Sequence, residues 1–386
     1  MNNYNLKSVL AVLLSCTLLA CTACSNGGQK KDTSVTENSS ISSEASLQES
    51  DPSDSSTDNN SEEESKNDTA DPTDAKEQGD LPALSDDDGS DVGGFYNDSG
   101  ILIYNRTAYE MFYGNEDLAK DYAQAMSRIK NALGDDIKVY NVLVPTHCGV
   151  TLPERFYDEY GISDQKQYID TIISNYTADI IGINTYDTIA HHRDEYLYFN
   201  TDHHWTGLGA YYAYKAFCKA AGIDYLRLSE LEEGTIDGYY GSLTNYIDES
   251  LVNEDTVHYF TKDADTSTSV FDADGTNEQE TRLFHTYAEG SNAYGVFLGG
   301  DSPLMVCKNN DGNGKKVAVV KESYGNAFCP YIALTYSETH MIDFRYIELD
   351  FQQYLKDNEI DEVIFINNAM ASATGPRVDE LNALVG

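Results

Sequence analysis

The chain has 386 residues and a formal net charge of −40, with 65 acidic residues against 25 basic ones. No basic stripe interrupts that charge, which excludes a nucleic-acid-binding protein and makes an anionic polymer a poorer substrate than a neutral one. Residues 25–94 hold 15 Ser, 19 Asp and Glu, 4 Lys and no aromatic residue, too little apolar surface to offset the entropy of ordering. Folding is therefore expected over 95–386, where 20 basic and 46 acidic residues leave −26.

The N-terminal 24 residues have the pattern of an export signal: Lys7, then an apolar run over 8–20 too short for a membrane span. Leu18-Leu19-Ala20-Cys21 resembles the lipobox of bacterial lipoproteins. The expectation is a removed signal over 1–20, a diacylated Cys21 and a disordered acidic Ser-rich tether over 21–94. That places the protein on the outer face of the bacterial cytoplasmic membrane, anchored by lipid. Cys24 is a second candidate, but Cys21 stands where a lipobox prefers an aliphatic residue.

A short strand is expected at 101–104, and Leu118, Tyr122, Met126, Ile129 and Leu133 mark one helix face that Gly134 ends. Residues 137–145 make a buried strand, 164–176 a helix, 180–184 and 196–201 two further strands, and 207–221 a helix. From about 223 to 297 the pattern loosens into an irregular or β-rich insertion. Strands at 304–308 and 316–321 flank Asn309-Asn310-Asp311-Gly312-Asn313-Gly314, which has hairpin-turn chemistry. A helix after Ser323, a strand at 340–344, a helix near 351–355 and a strand at 363–366 complete an α/β pattern with a parallel sheet. Ligands of such sheets bind at the carboxyl ends of the strands.

Two constellations carry chemistry. In Thr201-Asp202-His203-His204-Trp205-Thr206, an extended backbone would put Asp202 and His204 on one face and turn His203 away. Asp202 would then fix the tautomer of His204 and leave Nε2 as a general base. The plain alternative is an Asp capping the helix at 207. The second, Val317-Ala318-Val319-Val320-Lys321-Glu322-Ser323, is a buried strand that breaks into a helix at a Ser, where a nucleophile would lie beside free N–H groups. Its plain alternative is a Ser helix cap. Of the four cysteines beyond the signal, Cys148, Cys218, Cys307 and Cys329, none has metal-ligand spacing, and buried thiols or bridges both fit.

Taken in order, Thr-Asp-His-His-Trp-Thr, then Gly299-Gly300-Asp301-Ser302-Pro303-Leu304, then Lys321-Glu322-Ser323-Tyr324-Gly325-Asn326, resemble the DHHW family of exported bacterial proteins. That family is SGNH-hydrolase-like and similar to the alginate O-acetyltransferases. The resemblance spans about 95–370 and implies a three-layer parallel-sheet α/β domain with a triad of Ser323, His204 and Asp202. It implies acyl transfer to or from hydroxyls of a cell-surface polysaccharide, with an acyl donor and a membrane-bound O-acyltransferase as partners. No cofactor or metal is expected. Tyr324, Asn326 and Asn367 are the oxyanion or substrate candidates, with Asn368 an alternative to Asn367. Glu322 replaces the more usual Asp, Phe199-Asn200 stands where a basic residue often precedes the motif, and Arg345-Tyr346 occupies the strand end where the pattern has Gly. The alternative from another class is a catalytically silent glycan-binding or scaffold lipoprotein of an envelope polysaccharide system.

Overall fold

The computed structural model describes residues 72–84 and 95–386. The expected signal at 1–20, Cys21 and most of the tether lie outside those residues.

An eight-stranded sheet forms the middle layer. Its strands in chain order are β1 (Lys138–Val144), β2 (Ile180–Asn184), β3 (Thr266–Phe271), β4 (Gln279–Thr281), β5 (Leu304–Asn309), β6 (Lys316–Lys321), β7 (Glu338–Asp343) and β8 (Glu362–Asn368). Across the sheet the order is β2-β1-β8-β6-β7-β5-β3-β4. The five strands from β2 to β7 run parallel, and β5, β3 and β4 add an antiparallel edge. Both faces are covered, so β6 is apolar on both. Val317 and Val319 pack into one core with helices α3 and α4, and Ala318 and Val320 into the other with α1 and α2. These helices are α1 (Glu116–Leu133), α2 (Gln165–Ser174), α3 (Gly207–Ala221) and α4 (Gly325–Thr335). Asn115 caps α1 by accepting from Leu118 N–H, and Gly134 ends it at φ 82°.

Two expectations are corrected. The segments at 304–308 and 316–321 do not form a hairpin, because β7 lies between them, antiparallel to β5 and parallel to β6. The turn chemistry at 309–314 instead lets the chain pass over the end of β7, where Gly312 lies so close to Tyr336 and Ser337 backbone that a Cβ would fall 2.5 Å from Ser337 N. Residues 196–201 are not a strand: they make a single bridge, Tyr198 with Trp205, and fold back on themselves. The 223–297 stretch contributes to the sheet: its segments β3 and β4 extend the antiparallel edge, while Glu232–Tyr239 and Asp255–Thr261 pair as a two-stranded ribbon. A small three-stranded antiparallel sheet, Phe95–Tyr96, Ile101–Tyr104 and Thr107–Glu110, precedes α1.

Part of the stretch expected to be structureless is folded against the domain. Pro72–Lys76 is a helix, and its Asp74 together with Glu77 pairs with Lys215 and Lys219 of α3 at 2.7–2.9 Å. Lys76 pairs with Asp194 and Glu195. The composition of 25–94 averages over this clasp, which rests on charge rather than on apolar area. No helix among the described residues is long and apolar enough to cross a membrane. The four cysteines are buried free thiols.

The register fixes the active edge. Lys321 of β6 pairs with Asp343 of β7 on one side and with Ile366 of β8 on the other. Ser323 and Arg345 lie two residues past that pair, in the turns that follow β6 and β7, and Asn368 ends β8 at the same carboxyl edge.

Candidate active site

Ser323 is the middle residue of the three-residue break, 322–324, between β6 and α4. Gly325 permits that sharp exit, because a Cβ there would lie 2.5 Å from Lys321 Cβ. Ser323 is not a helix cap; α4 has no side-chain cap. Nor does Asp202 cap α3, whose cap is Thr206, accepting from Gly209 N–H.

The loop bearing the Asp-His-His string is shaped by a buried carboxylate. Asp255, 1% exposed, accepts from Asn200 N–H, Thr201 N–H and the Thr201 hydroxyl at 2.5–2.8 Å. Tyr196 and the Asn200 amide donate to it as well. The backbone turned in this way places Asp202 under His204. His204 Nδ1 is 2.6 Å from Asp202 Oδ1, and His204 Nε2 is 2.7 Å from Ser323 Oγ. Asp202 Oδ1 also accepts from His204 N–H at 2.9 Å, and Oδ2 from Ser242 N–H at 2.7 Å. The last contact needs Gly241, where a Cβ would fall 2.3 Å from Asp202 Cβ and 2.4 Å from Oδ2. Burial raises the Asp202 carboxyl, but the flanking histidines and these hydrogen bonds outweigh it and hold it well below the usual range.

The His204 ring is held flat. Tyr294 stacks on it with centroids 4.1 Å apart and 13° between planes, and the Tyr294 hydroxyl donates to Ser323 O. Trp205, fully buried, donates to Tyr324 O and ties the histidine loop to the start of α4. With Asp202 accepting the Nδ1 proton, Nε2 presents its lone pair to the Ser323 hydroxyl, which is the arrangement of a serine nucleophile with its base.

His203 departs from expectation. The segment is bent rather than extended, so His203 does not turn away: its ring lies 3.8 Å from that of His204, and Nδ1 meets Ser242 Oγ at 2.7 Å. Burial and the neighbouring His204 lower its pKa. Ligand atoms of Asp202, His203 and His204 lie within 4.8 Å of one another, close enough for a metal. Both Asp202 oxygens, however, already accept N–H groups, and both His204 nitrogens are engaged by Asp202 and Ser323. The donor set therefore fits the triad better than a cation.

The other three sequence candidates are committed elsewhere. The Tyr324 side chain is 1% exposed and its hydroxyl donates to His203 O at 2.5 Å. Asn326 Nδ2 donates to Asp301. Asn367 accepts from Tyr122 of α1, on the opposite face of the sheet. Asn368 is the asparagine beside the nucleophile, and it donates to Glu322: N–H and Nδ2 reach Oε1 at 3.2 and 3.1 Å. Glu322 Oε2 accepts from Tyr324 N–H at 3.0 Å and lies 3.3 Å from Ser323 Oγ. Sequence reasoning missed Gly241, Ser242, Asp255 and Tyr294 because they fall in the insertion, which has no period to mark a face.

No curated protein matches the chain. Among solved structures, a DHHW family protein from Eubacterium siraeum shares 27% identity at a TM-score of 0.70, covering 76% of this chain and 98% of that one. Bacillus cereus PatB1 shares 19% at a TM-score of 0.60, covering 72% and 98%, a likeness of fold. The DHHW protein family pattern matches residues 34–342. With most of its length matched by that pattern, the chain belongs to the DHHW family.

Proposed function

We propose that the domain is an extracytoplasmic O-acyltransferase or esterase acting on hydroxyls of a cell-surface polysaccharide. Ser323 is the nucleophile, His204 the general base and then acid, and Asp202 the group that fixes the base. The observation that carries this is the unbroken chain Asp202 Oδ1, His204 Nδ1, His204 Nε2, Ser323 Oγ, with links of 2.6 and 2.7 Å, at the carboxyl edge of a parallel sheet. The glycan as substrate rests on the resemblance of the motifs to the alginate O-acetyltransferases and on the acidic surface, which favours a neutral polymer. A membrane-bound O-acyltransferase supplying the acyl group, and anchoring through Cys21 to the outer face of the cytoplasmic membrane, complete the proposal.

One observation favours the second reading, a silent glycan-binding or scaffold lipoprotein: Glu322 occupies donors beside Ser323. A single experiment separates the two. A sulfonyl adduct has been captured on PatB1, so a sulfonyl fluoride is a suitable probe. The acyltransferase reading expects a mass adduct on Ser323 and turnover of an aryl acetate, both lost in Ser323→Ala. Native protein that neither labels nor turns over would establish the scaffold; turnover that survives Ser323→Ala would refute the triad.

A further inference from the structure

The acceptor of an acyl group must stand where the base can take its proton. Its oxygen therefore comes within hydrogen-bond reach of His204 Nε2, beside the Ser323 Oγ that Nε2 meets at 2.7 Å. What walls that nitrogen decides what can approach it. Tyr294 stacks on one face of the His204 ring with centroids 4.1 Å apart, and the His203 ring, at 3.8 Å, is too near to share that face, so the two sandwich the base. Asp202 closes its Nδ1 edge at 2.6 Å. Tyr294, Tyr324 and Asp202 are buried. His203 is the open wall, its side chain 35% exposed against 9% for His204.

The His203 ring is fixed in place. Nδ1 meets Ser242 Oγ at 2.7 Å and stands 3.8 Å from Asp202 Oδ1, and the His203 backbone O accepts from the Tyr324 hydroxyl. Ser242 serves both histidines, since its N–H holds Asp202 Oδ2 in turn. Nε2 is left over: it has no hydrogen-bond partner among the described residues, and it is reached by solvent. Its chemistry selects a ligand. Burial and the neighbouring His204 lower the His203 pKa, so at neutral pH the ring is uncharged, with one N–H and one lone pair. A hydroxyl both donates and accepts, and so satisfies Nε2 in either tautomer. An anion does not suit the place, because Asp202, Glu110 and Glu322 all bear on the ring with negative charge.

We propose that His203 binds, through Nε2, a second hydroxyl of the sugar whose first hydroxyl receives the acyl group, an inference that rests on Ser323 and His204 being nucleophile and base. The receiving hydroxyl gives its proton to His204 Nε2 as its oxygen bonds to the acyl carbon and the carbonyl π pair moves onto oxygen. That pair returns as the bond to Ser323 Oγ breaks, and Oγ takes the proton back from His204. Run in reverse, the same contact holds the leaving sugar of a deacetylation. His203 thereby sets the choice of acceptor, a sugar over a simple alcohol.

The test reads how the full chain partitions acetyl groups from an aryl acetate between methanol, which has one hydroxyl, and a neutral oligosaccharide: cellopentaose, chitopentaose or maltopentaose. Both products leave the same acyl-Ser323, so their ratio does not depend on how fast that species forms. An asparagine amide reaches as far as the histidine Nδ1, and a glutamine amide as far as Nε2. In His203→Asn, which keeps a partner for Ser242 and deletes Nε2, transfer to the best sugar relative to methanol is expected to fall about tenfold, the scale of one hydrogen bond. His203→Gln should hold that ratio within about threefold of wild type. If His203→Asn fails to fold, Ser242→Ala frees the ring while leaving its N–H on Asp202, and must lower the same ratio. An unchanged ratio in His203→Asn overturns the proposal, including the case in which both transfers slow alike because the base is disturbed. So does an equal loss in His203→Asn and His203→Gln, or native protein that acetylates methanol and none of the sugars. Turnover that survives Ser323→Ala, or is absent from the native protein, overturns the triad itself; turnover lost in Ser323→Ala with the ratio intact in His203→Asn overturns only His203.

Discussion

Changing Asp202 to Asn separates the carboxylate's charge from its shape. The two Asp202 oxygens accept from different sides: Oδ1 from His204 Nδ1 and N–H, Oδ2 from Ser242 N–H. An amide has only one oxygen. With that oxygen toward Ser242, its NH₂ faces His204, whose Nδ1 must then accept, moving the proton to Nε2 and abolishing the base, and the NH₂ also meets His204 N–H donor against donor. With the oxygen toward His204, the NH₂ meets Ser242 N–H at 2.7 Å, donor against donor, which costs about 1–3 kcal/mol for a buried unmet pair. Either orientation therefore leaves one backbone N–H without its acceptor, one of them fixes the wrong tautomer, and in both the imidazolium formed in the reaction loses its counter-charge. A loss of about 10⁴ in kcat follows, roughly 5.5 kcal/mol of barrier. Aryl-acetate kinetics on the full chain would measure it, with near-ultraviolet circular dichroism as the folding control. Retention of more than a tenth of the wild-type kcat in a folded Asp202→Asn protein would refute the reasoning.

Three further outcomes are expected. Gly241→Ala puts a Cβ 2.3 Å from Asp202 Cβ and should lower kcat about 10²-fold through misplacement of the base, with KM little changed; unaltered kinetics would show that the 241–242 turn yields freely. The clasp at 72–77 should depend on pH. Burial raises Glu77 and Glu195, but His192 and the lysines draw both down to about 2, while burial lowers His192 less than Glu195 and Glu77 raise it. The carboxylate contribution is present above the ordinary 4.5 and lost as pH falls towards 2; the His192 contribution is present below the ordinary 6.5 and lost as pH rises through its raised value. Hydrogen-exchange protection factors over 72–84, corrected for the intrinsic rate at each pH, should thus be highest near pH 5.5 and lower at pH 9, and equal protection at both would contradict the assignment. Cys21→Ala should release the protein from membranes or leave it unprocessed while Cys24→Ala does not; the reverse result would move the anchor to Cys24.

The individual elements were legible where one physical signal dominated. The run Val139 to Val144 is apolar on both faces because both are covered, and a helix period ended by Gly134 gave α1. The Asp202–His204 and Ser323 motifs stand out in the sequence, but spacing alone did not report their local geometry, since the segment is bent and His203 stays beside His204. What sits beside what was not legible. A strand's neighbours are chosen by crossovers many residues long, so the turn residues at 309–314 could not reveal that β7 lies between β5 and β6. Asp255 and Tyr294, which shape the histidine loop from about 50 and 90 residues away in the chain, leave no local trace, as each is an ordinary residue until the fold brings it to the loop. The commitment of Asn367 to Tyr122 rather than to the edge is a matter of strand alternation, and a shift of one residue exchanges the faces.

The docked helix Pro72–Lys76 changes where mechanical load enters the domain. Lys215 has no solvent exposure, and its partners Asp74 and Glu77 belong to the segment leading out towards the N-terminus. A pull on the chain before residue 72 is therefore delivered to this ionic latch rather than to Phe95. The latch also grips Asp194 and Glu195 through Lys76, immediately before Tyr196, which anchors on Asp255 together with Thr201. Tension or truncation that opens it strands a buried ammonium and slackens the run of chain that ends at His204. Shortening the protein to begin at residue 95 would accordingly remove half of an ion pair from its interior.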